Sequence, residues 1–251
     1  AQWHDFDVLN DGLPEGLNLS DRTTEMSALI VSGPKSRALF EQIGTDADLS
    51  ASWLSIQQAT VAGVKCMLAR VSFAGELGWE IHADMADISA LYAAVTGAGA
   101  TPFGMYALNS MRIEKGYRAW KGDLSTDYTL LEAGLERWVK LDKPQDFRGK
   151  AALAAQAEEG VKKRFVTMIV EAGDQDAPYM STVYHNGEVV GETTSGDWGY
   201  RVGASIALGT VRADLAVEDT ELEINIFGRM CKAVVQKDAP LWDPENERLR
   251  A

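Results

Sequence analysis

Residues 70–83, RVSFAGELGWEIHA, decide how the first half of the chain is read. Just upstream, Val64, Cys66, Leu68 and Arg70 alternate with other residues at period two, the spacing of one strand face. Gly75-Glu76-Leu77-Gly78 follows as a glycine-bracketed turn, and Trp79 to His82 forms a second β-prone run, so the stretch predicts a hairpin-like pair of strands. Gly75 and Gly78 permit close approach of a backbone or ligand. Glu80 lies between Trp79 and Ile81, so in a strand it points to the face opposite those two rings and chains. The ordinary place for such a glutamate is solvent, because an unpaired carboxylate is almost never buried. If that face is a pocket, the carboxylate can accept two parallel hydrogen bonds from a heterocycle's amino and ring N–H groups.

Working outward, Ser27–Ser32 (SALIVS) reads as a strand, and Gly33-Pro34 opens a helix over KSRALFEQIG. A short helix is expected around Trp3–Leu9, two strands lie around 53–73, and a helix spans about Met85–Gly97 with Asp84 as N-cap. In that helix Ile88, Leu91, Tyr92 and Val95 form one expected buried stripe. The order predicts an α+β layer with a ferredoxin-like sheet. Another helix, Gly104–Lys115, ends at Gly116. The loop Tyr117–Asp127 is aromatic and charged, a helical turn is expected at Leu131–Leu135, and a strand at Arg137–Leu141. Pro144–Gly149 reads as a linker, and a helix follows at Ala151–Glu158. Beyond it the pattern becomes all-β, with Asn186-Gly187 between two runs as a strong hairpin signal, which predicts a compact C-terminal barrel. The expected domains are therefore 1–145 and 146–251.

The chain has 251 residues, a net charge of −13 and 46% hydrophobic residues. Such a balance gives no electrostatic footprint for nucleic acid or for an anionic membrane, although a local basic pocket is compatible with it. Cys66 and Cys231 are far apart and read as small core residues, and the acidic N-terminus lacks a signal-peptide core, so the expected compartment is the cytoplasm. His4, His82 and His185 have no ligand spacing, and the Asp46/Asp48 and Asp174/Asp176 pairs lack the rest of a calcium loop, so no metal is expected. Gly97–Gly104 follows a helix and lacks G-x-G-x-x-G, which excludes a dinucleotide site there.

Two segments carry a resemblance. G-E-L-G-W-E (75–80) resembles the G-E-x-G-W-E segment of the glycine cleavage T-protein family. Arg112-x-Glu114-x-Gly116, Asp123 and Leu131-Glu-Ala-Gly-Leu135 are similar to a second family stretch, most closely that of the C-terminal halves of dimethylglycine and sarcosine dehydrogenases. The tail, including TSGDWGYRVGASIALGTV, resembles the family's C-terminal barrel. The resemblance implies tetrahydrofolate as cofactor, with Glu80 gripping the pterin edge and Arg112 holding the glutamate tail. Tyr117, Trp120 and Trp138 are candidates for lining the folate channel, and flat rings suit that task. Phe73 stands where the oxidising relatives usually carry a tyrosine, so a hydroxyl is missing. The resemblance further implies that the family's N-terminal section, with an aspartate at the reacting folate nitrogen, is absent, which leaves the catalytic residue unassigned and suggests a fragment or one section of a larger polypeptide.

The implied activity is one-carbon transfer within a flavin-dependent demethylating dehydrogenase, with FAD on a section absent from this chain. Implied partners are folate, a methylated amine or iminium, and a flavin dehydrogenase section in cis or trans, with no nucleic acid and no membrane. The alternatives are a stand-alone aminomethyltransferase working with a lipoyl carrier protein, and a non-catalytic folate-binding module.

Overall fold

The computed structural model describes residues 2–251. They form two compact units: one runs through Ser72 and takes in Glu76–Pro102 and Leu249–Ala251, and the other comprises Phe73–Gly75 and Phe103–Arg248. The packing thus groups residues 103–145 with the barrel, which differs from the division at 145/146 read from the sequence.

In the first unit, β1 (Met26–Ser32), β2 (Ile56–Val61), β3 (Val64–Ala69) and β4 (Gly78–Asp84) form one antiparallel sheet in the order β1-β4-β3-β2. The hairpin-like reading of 64–83 describes β3 and β4, which pair Leu68 with Ile81 and Ala69 with Glu80. Gly78 is needed at the start of β4 because an added Cβ would stand 2.8 Å from the Val31 carbonyl. Helices α2 (Ser36–Ile43) and α3 (Ile88–Gly97) cover one sheet face, and the core between them holds Phe40, Leu68, Trp79, Ile81, Leu91 and Val95. Phe40 and Trp79 pack edge to face at 5.1 Å. A ten-residue helix, α1 (Gln2–Asp11), precedes the sheet and buries none of its side chains.

Two local expectations need correction here. Asp84 closes β4 rather than capping α3, which begins four residues later. Tyr92 is 49% exposed, because the stripe that α3 buries narrows to Leu91 and Val95. Arg70 continues the alternation of β3 yet is only 2% exposed. Its guanidinium lies 4.6 Å over the Trp79 ring and donates to the carbonyls of Leu249 at 3.3 Å and Ala251 at 2.8 Å.

In the second unit, α4 (Met105–Glu114) and an irregular stretch lead to α5 (Lys150–Glu159) and six strands. These are β5 (Lys163–Val170), β6 (Thr182–His185), β7 (Glu188–Gly199), β8 (Ala204–Arg212), β9 (Glu221–Ile226) and β10 (Arg229–Val235). They close into a barrel in the order β10-β5-β8-β7-β6-β9 around Met168, Val183, Leu222, Ile224 and Ala233. Closure pairs β10 with β5, so neither strand is left as an open edge. Asn186 and Gly187 both take positive φ, 52° and 79°, as a two-residue hairpin turn demands. The strand expected at Arg137–Leu141 does not form. A 3₁₀ turn, Glu136–Trp138, stands there, and Leu131–Leu135 is a turn without a helix. A short α6 (Glu247–Arg250) ends the regular structure.

Candidate functional site

In the first unit, the sheet face opposite α2 and α3 carries a polar pair on β4. Trp79, Ile81 and Ala83 of β4 point into the core, which turns Glu80 and His82 to the opposite face. Across the ladder Glu80 lies between Ile30 and Ala69, and His82 between Ala28 and Met67. Directly opposite residues share a sheet face, so a carboxylate and an imidazole sit in an otherwise apolar frame. Both side chains are 30% exposed, and His82 Nε2 lies 2.9 Å from Glu80 Oε2. An ionised carboxylate only accepts, so Nε2 carries the proton and donates it. One of roughly four lone-pair positions on Glu80 is occupied in this way, and the others stay open to a donor arriving at the face.

The second unit holds the remaining residues singled out from the sequence, and it assigns them different tasks. Arg112 is 3% exposed and sends out all five of its N–H groups. Nε and Nη2 donate to Asn109 Oδ1 at 3.0 and 2.8 Å, Nη1 to the Tyr117 carbonyl at 2.9 Å and to Asp123 Oδ2 at 2.5 Å, and Nη2 to Ser195 Oγ at 2.7 Å. Asp123 is itself 1% exposed and accepts from the Ala119 amide and from the hydroxyls of Thr194 and Ser195. A glutamate tail reaching Arg112 would have to displace one of these internal bonds. The geometry gives Arg112 a structural post, fastening α4 and the following loop to β7.

Glu114 and Lys115 are fastened as well. Buried Glu114 pairs with Arg201 and accepts from the Arg201 amide at 2.6 Å, and Lys115 Nζ donates to the Asp243 carbonyl at 2.8 Å and to Asn246 at 2.9 Å. The packing around Gly75 is tight. It has φ 74°, and an added Cβ would run into the Lys115 methylenes. The R-x-E-x-G pattern of 112–116 is therefore a set of anchors. Asp123, Ser195 and Arg201 are the partners that sequence reading missed. Asp123 is the last letter of the motif and Ser195 and Arg201 lie within TSGDWGYRVGASIALGTV, but no local pattern pairs the latter two with side chains 83 and 87 residues away.

The aromatic candidates separate. Phe73 stacks on Tyr117, with centroids 6.1 Å apart at 19°. Tyr117 and Trp138 line a cavity of about 420 Å³ together with Phe165, Arg118, Arg137, Arg164 and Lys237. Trp120 is 58% exposed and does not border that cavity. The lining contains five cationic side chains against two acidic ones, Glu218 and Asp238, in a chain whose net charge is −13. Three of the five are engaged. Arg118 donates to the carbonyls of Gly116 and Ala133, Arg164 pairs with Glu136, and Lys115 is bound as described. Burial lowers the Arg118 pKa, and it pushes the Tyr117 phenol up against the opposing influence of Arg137. Arg137 differs: the residue lines the cavity and its guanidinium rests 4.8 Å over the Trp138 ring.

Among the described residues no cluster of histidine, cysteine or acidic side chains is placed to hold a metal, and no helix is long and apolar enough to cross a membrane.

Comparison with known proteins places these features in context. Residues 1–143 match the GCVT N-terminal domain, and residues 163–243 match the glycine cleavage T-protein C-terminal barrel domain. The chain is 34% identical over its whole length to human dimethylglycine dehydrogenase, mitochondrial, of which it spans 30%. It is 34% identical over 92% of its length to mouse sarcosine dehydrogenase, mitochondrial, and spans 26% of that protein. It is 33% identical over 92% of its length to the aminomethyltransferase of Listeria innocua, and spans 64% of it. The crystal structure of glycine cleavage system aminomethyltransferase T from Bartonella henselae superposes with a TM-score of 0.84 over 96% of this chain and 66% of that one, at 22% identity, which speaks for the fold.

Proposed function

This chain belongs to the glycine cleavage T-protein family, and on that footing we propose that it binds tetrahydrofolate and positions it for one-carbon transfer. The observation that carries the reading is the Glu80 carboxylate, 30% exposed, with apolar residues directly opposite it on both neighbouring strands and acceptor positions open. A flat, nitrogen-rich ring would rest on the apolar frame of Ile30, Ala69 and Met67 and present its N–H edge to the carboxylate, a charge-assisted and geometrically selective contact. As a separate proposal for the second unit taken by itself, Arg137 at the cationic cavity offers a guanidinium for a carboxylate. Its planar fork suits a carboxylate, and the Trp138 ring beneath it holds the fork in place.

When bound, the folate supplies the ring nitrogen that takes up the one-carbon unit. The chain's own share is binding and orientation, which by themselves contribute much of the rate in reactions of two reactants. Phe73 offers a ring against Tyr117 and no proton. We further propose that this section serves a flavin-dependent dehydrogenase of dimethylglycine or sarcosine type, the flavin being held by another section in cis or in trans. What supports that context is the likeness of the chain, over 100% and 92% of its own length, to parts of the two mitochondrial dehydrogenases.

Calorimetric titration of tetrahydrofolate into the native protein and into Glu80→Ala tests the reading. At least tenfold weaker binding by the variant is expected, with an unchanged melting temperature. Equal affinity in two folded proteins would refute the pterin assignment.

A further inference from the structure

His82 is a residue to which neither the motif nor the family comparison attaches a task. It stands two residues after Glu80 on the same strand, which puts both side chains on one sheet face. Its Nε2 reaches Glu80 Oε2 at 2.9 Å, and this is the hydrogen bond recorded for the ring. Its neighbours across the ladder are Ala28 and Met67, neither of which can replace that acceptor. Glu80 is in the same position, with Ile30 and Ala69 on either side. Without the imidazole, neither of the directly opposite residues could hold the carboxylate to one rotamer.

We propose that His82 is the positioning residue for Glu80: it donates from Nε2 to Oε2 and so sets the carboxylate plane that the ligand's N–H edge meets. This rests on the folate reading above. Glutamate is among the side chains that lose most rotamer freedom on ordering, and a tether present before the ligand arrives removes that cost from binding. The tether also fixes the tautomer. In the neutral ring with the proton on Nε2, Nδ1 is an acceptor, which adds to the acceptors that the strand offers a donor-rich ring edge. The class of ligand is thereby narrowed to flat heterocycles carrying adjacent amino and ring N–H donors. Acceptor-edged rings, such as a fully oxidised, unsubstituted pteridine, would be refused.

The test is tetrahydrofolate affinity by calorimetry for the native protein, His82→Leu, His82→Gln, Glu80→Ala and the Glu80→Ala/His82→Leu double variant, with melting temperatures alongside. A glutamine amide can place an N–H near the position of Nε2, whereas leucine cannot. The expected results are about tenfold weaker binding by His82→Leu, equivalent to about 1.4 kcal/mol, recovery to within about threefold by His82→Gln, and no additional loss from His82→Leu in the Glu80→Ala background. Native affinity in His82→Leu, alongside weakened binding in Glu80→Ala, would overturn the positioning role and leave the folate reading standing. Losses that simply add in the double variant would also overturn it, since a residue acting through Glu80 has no effect without it. Native affinity in Glu80→Ala would remove both.

Discussion

Replacing Asp123 by alanine should be among the most damaging single changes in the second unit, although the residue touches no proposed ligand. The side chain is fully buried and receives the Arg112 guanidinium at 2.5 Å, the Ala119 amide at 2.8 Å and the Ser195 hydroxyl at 2.8 Å, besides Thr194. Its removal strands a guanidinium that is itself 4% exposed. Breaking a buried ion pair from one side costs about 3–5 kcal/mol, because the remaining charge has lost its compensation without regaining water. The stranded hydroxyls can rotate to other acceptors, so we expect about 4 kcal/mol rather than a sum over every lost bond. With a urea slope of about 3 kcal/mol/M the midpoint should fall by about 1.3 M. Hydrogen exchange of β7 and β8 amides, followed along a urea series, reads this unit by itself. Asp127→Ala is the control, since Asp127 is exposed and bonded only locally to Ser125. Arg112→Ala should lose a similar amount, and an Arg112→Met/Asp123→Leu double variant should lose less than either single change. A loss below about 1 kcal/mol in Asp123→Ala would refute the structural account. Native stability with weakened folate binding in Arg112→Ala would restore that arginine to the ligand.

Two further outcomes can be checked independently. Arg137→Gln should weaken tetrahydrofolate binding about five- to tenfold with little change in melting temperature, because the residue is exposed and its guanidinium stacks on Trp138 at the cavity; an unchanged Kd would remove the proposed carboxylate role of Arg137. Burial and a hydrogen bond to Glu192 push the Tyr128 phenol up from 10.0 to about 12, so the folded protein keeps this proton after the unfolded chain has released it. The resulting stability is present below pH 10 and is lost as pH climbs towards 12, to the extent of about 1 kcal/mol once solvent screening of this partly exposed group is allowed for. Melting curves across that range should converge with those of Tyr128→Phe, and parallel curves would contradict the assignment.

Much of the candidate site was legible because it lies on one strand. Trp79, Glu80, Ile81 and His82 alternate, and a strand has only two faces, so placing the tryptophan in the core placed the glutamate outside it. The bond from His82 follows from that same period, since a histidine two positions after a glutamate on a strand shares its face. The surroundings of Arg112 are illegible in the sequence for a different reason. A helical arginine near a helix end ordinarily faces water, and nothing local reveals that Ser195 and Asp123 surround it. Arg137 was read as part of a strand, whereas its guanidinium stacks on the next residue's ring at the cavity.

The residues alone determined the features that depend on short-range sterics: the strand alternation of β3 and β4, the Asn186-Gly187 turn with its positive φ angles, the glycines at tight approaches, and the change from a mixed α/β pattern to a run of short strands. Backbone propensity acts over a few residues, and a few residues are enough to read it. Tertiary structure alone decided which charges are buried. Arg70, Arg112, Glu114 and Asp123 are all enclosed, and each is tolerable only because its partners arrive from distant parts of the chain. The free energy of a buried charge depends on the whole set of groups around it, and that set exists only once the chain has closed upon itself.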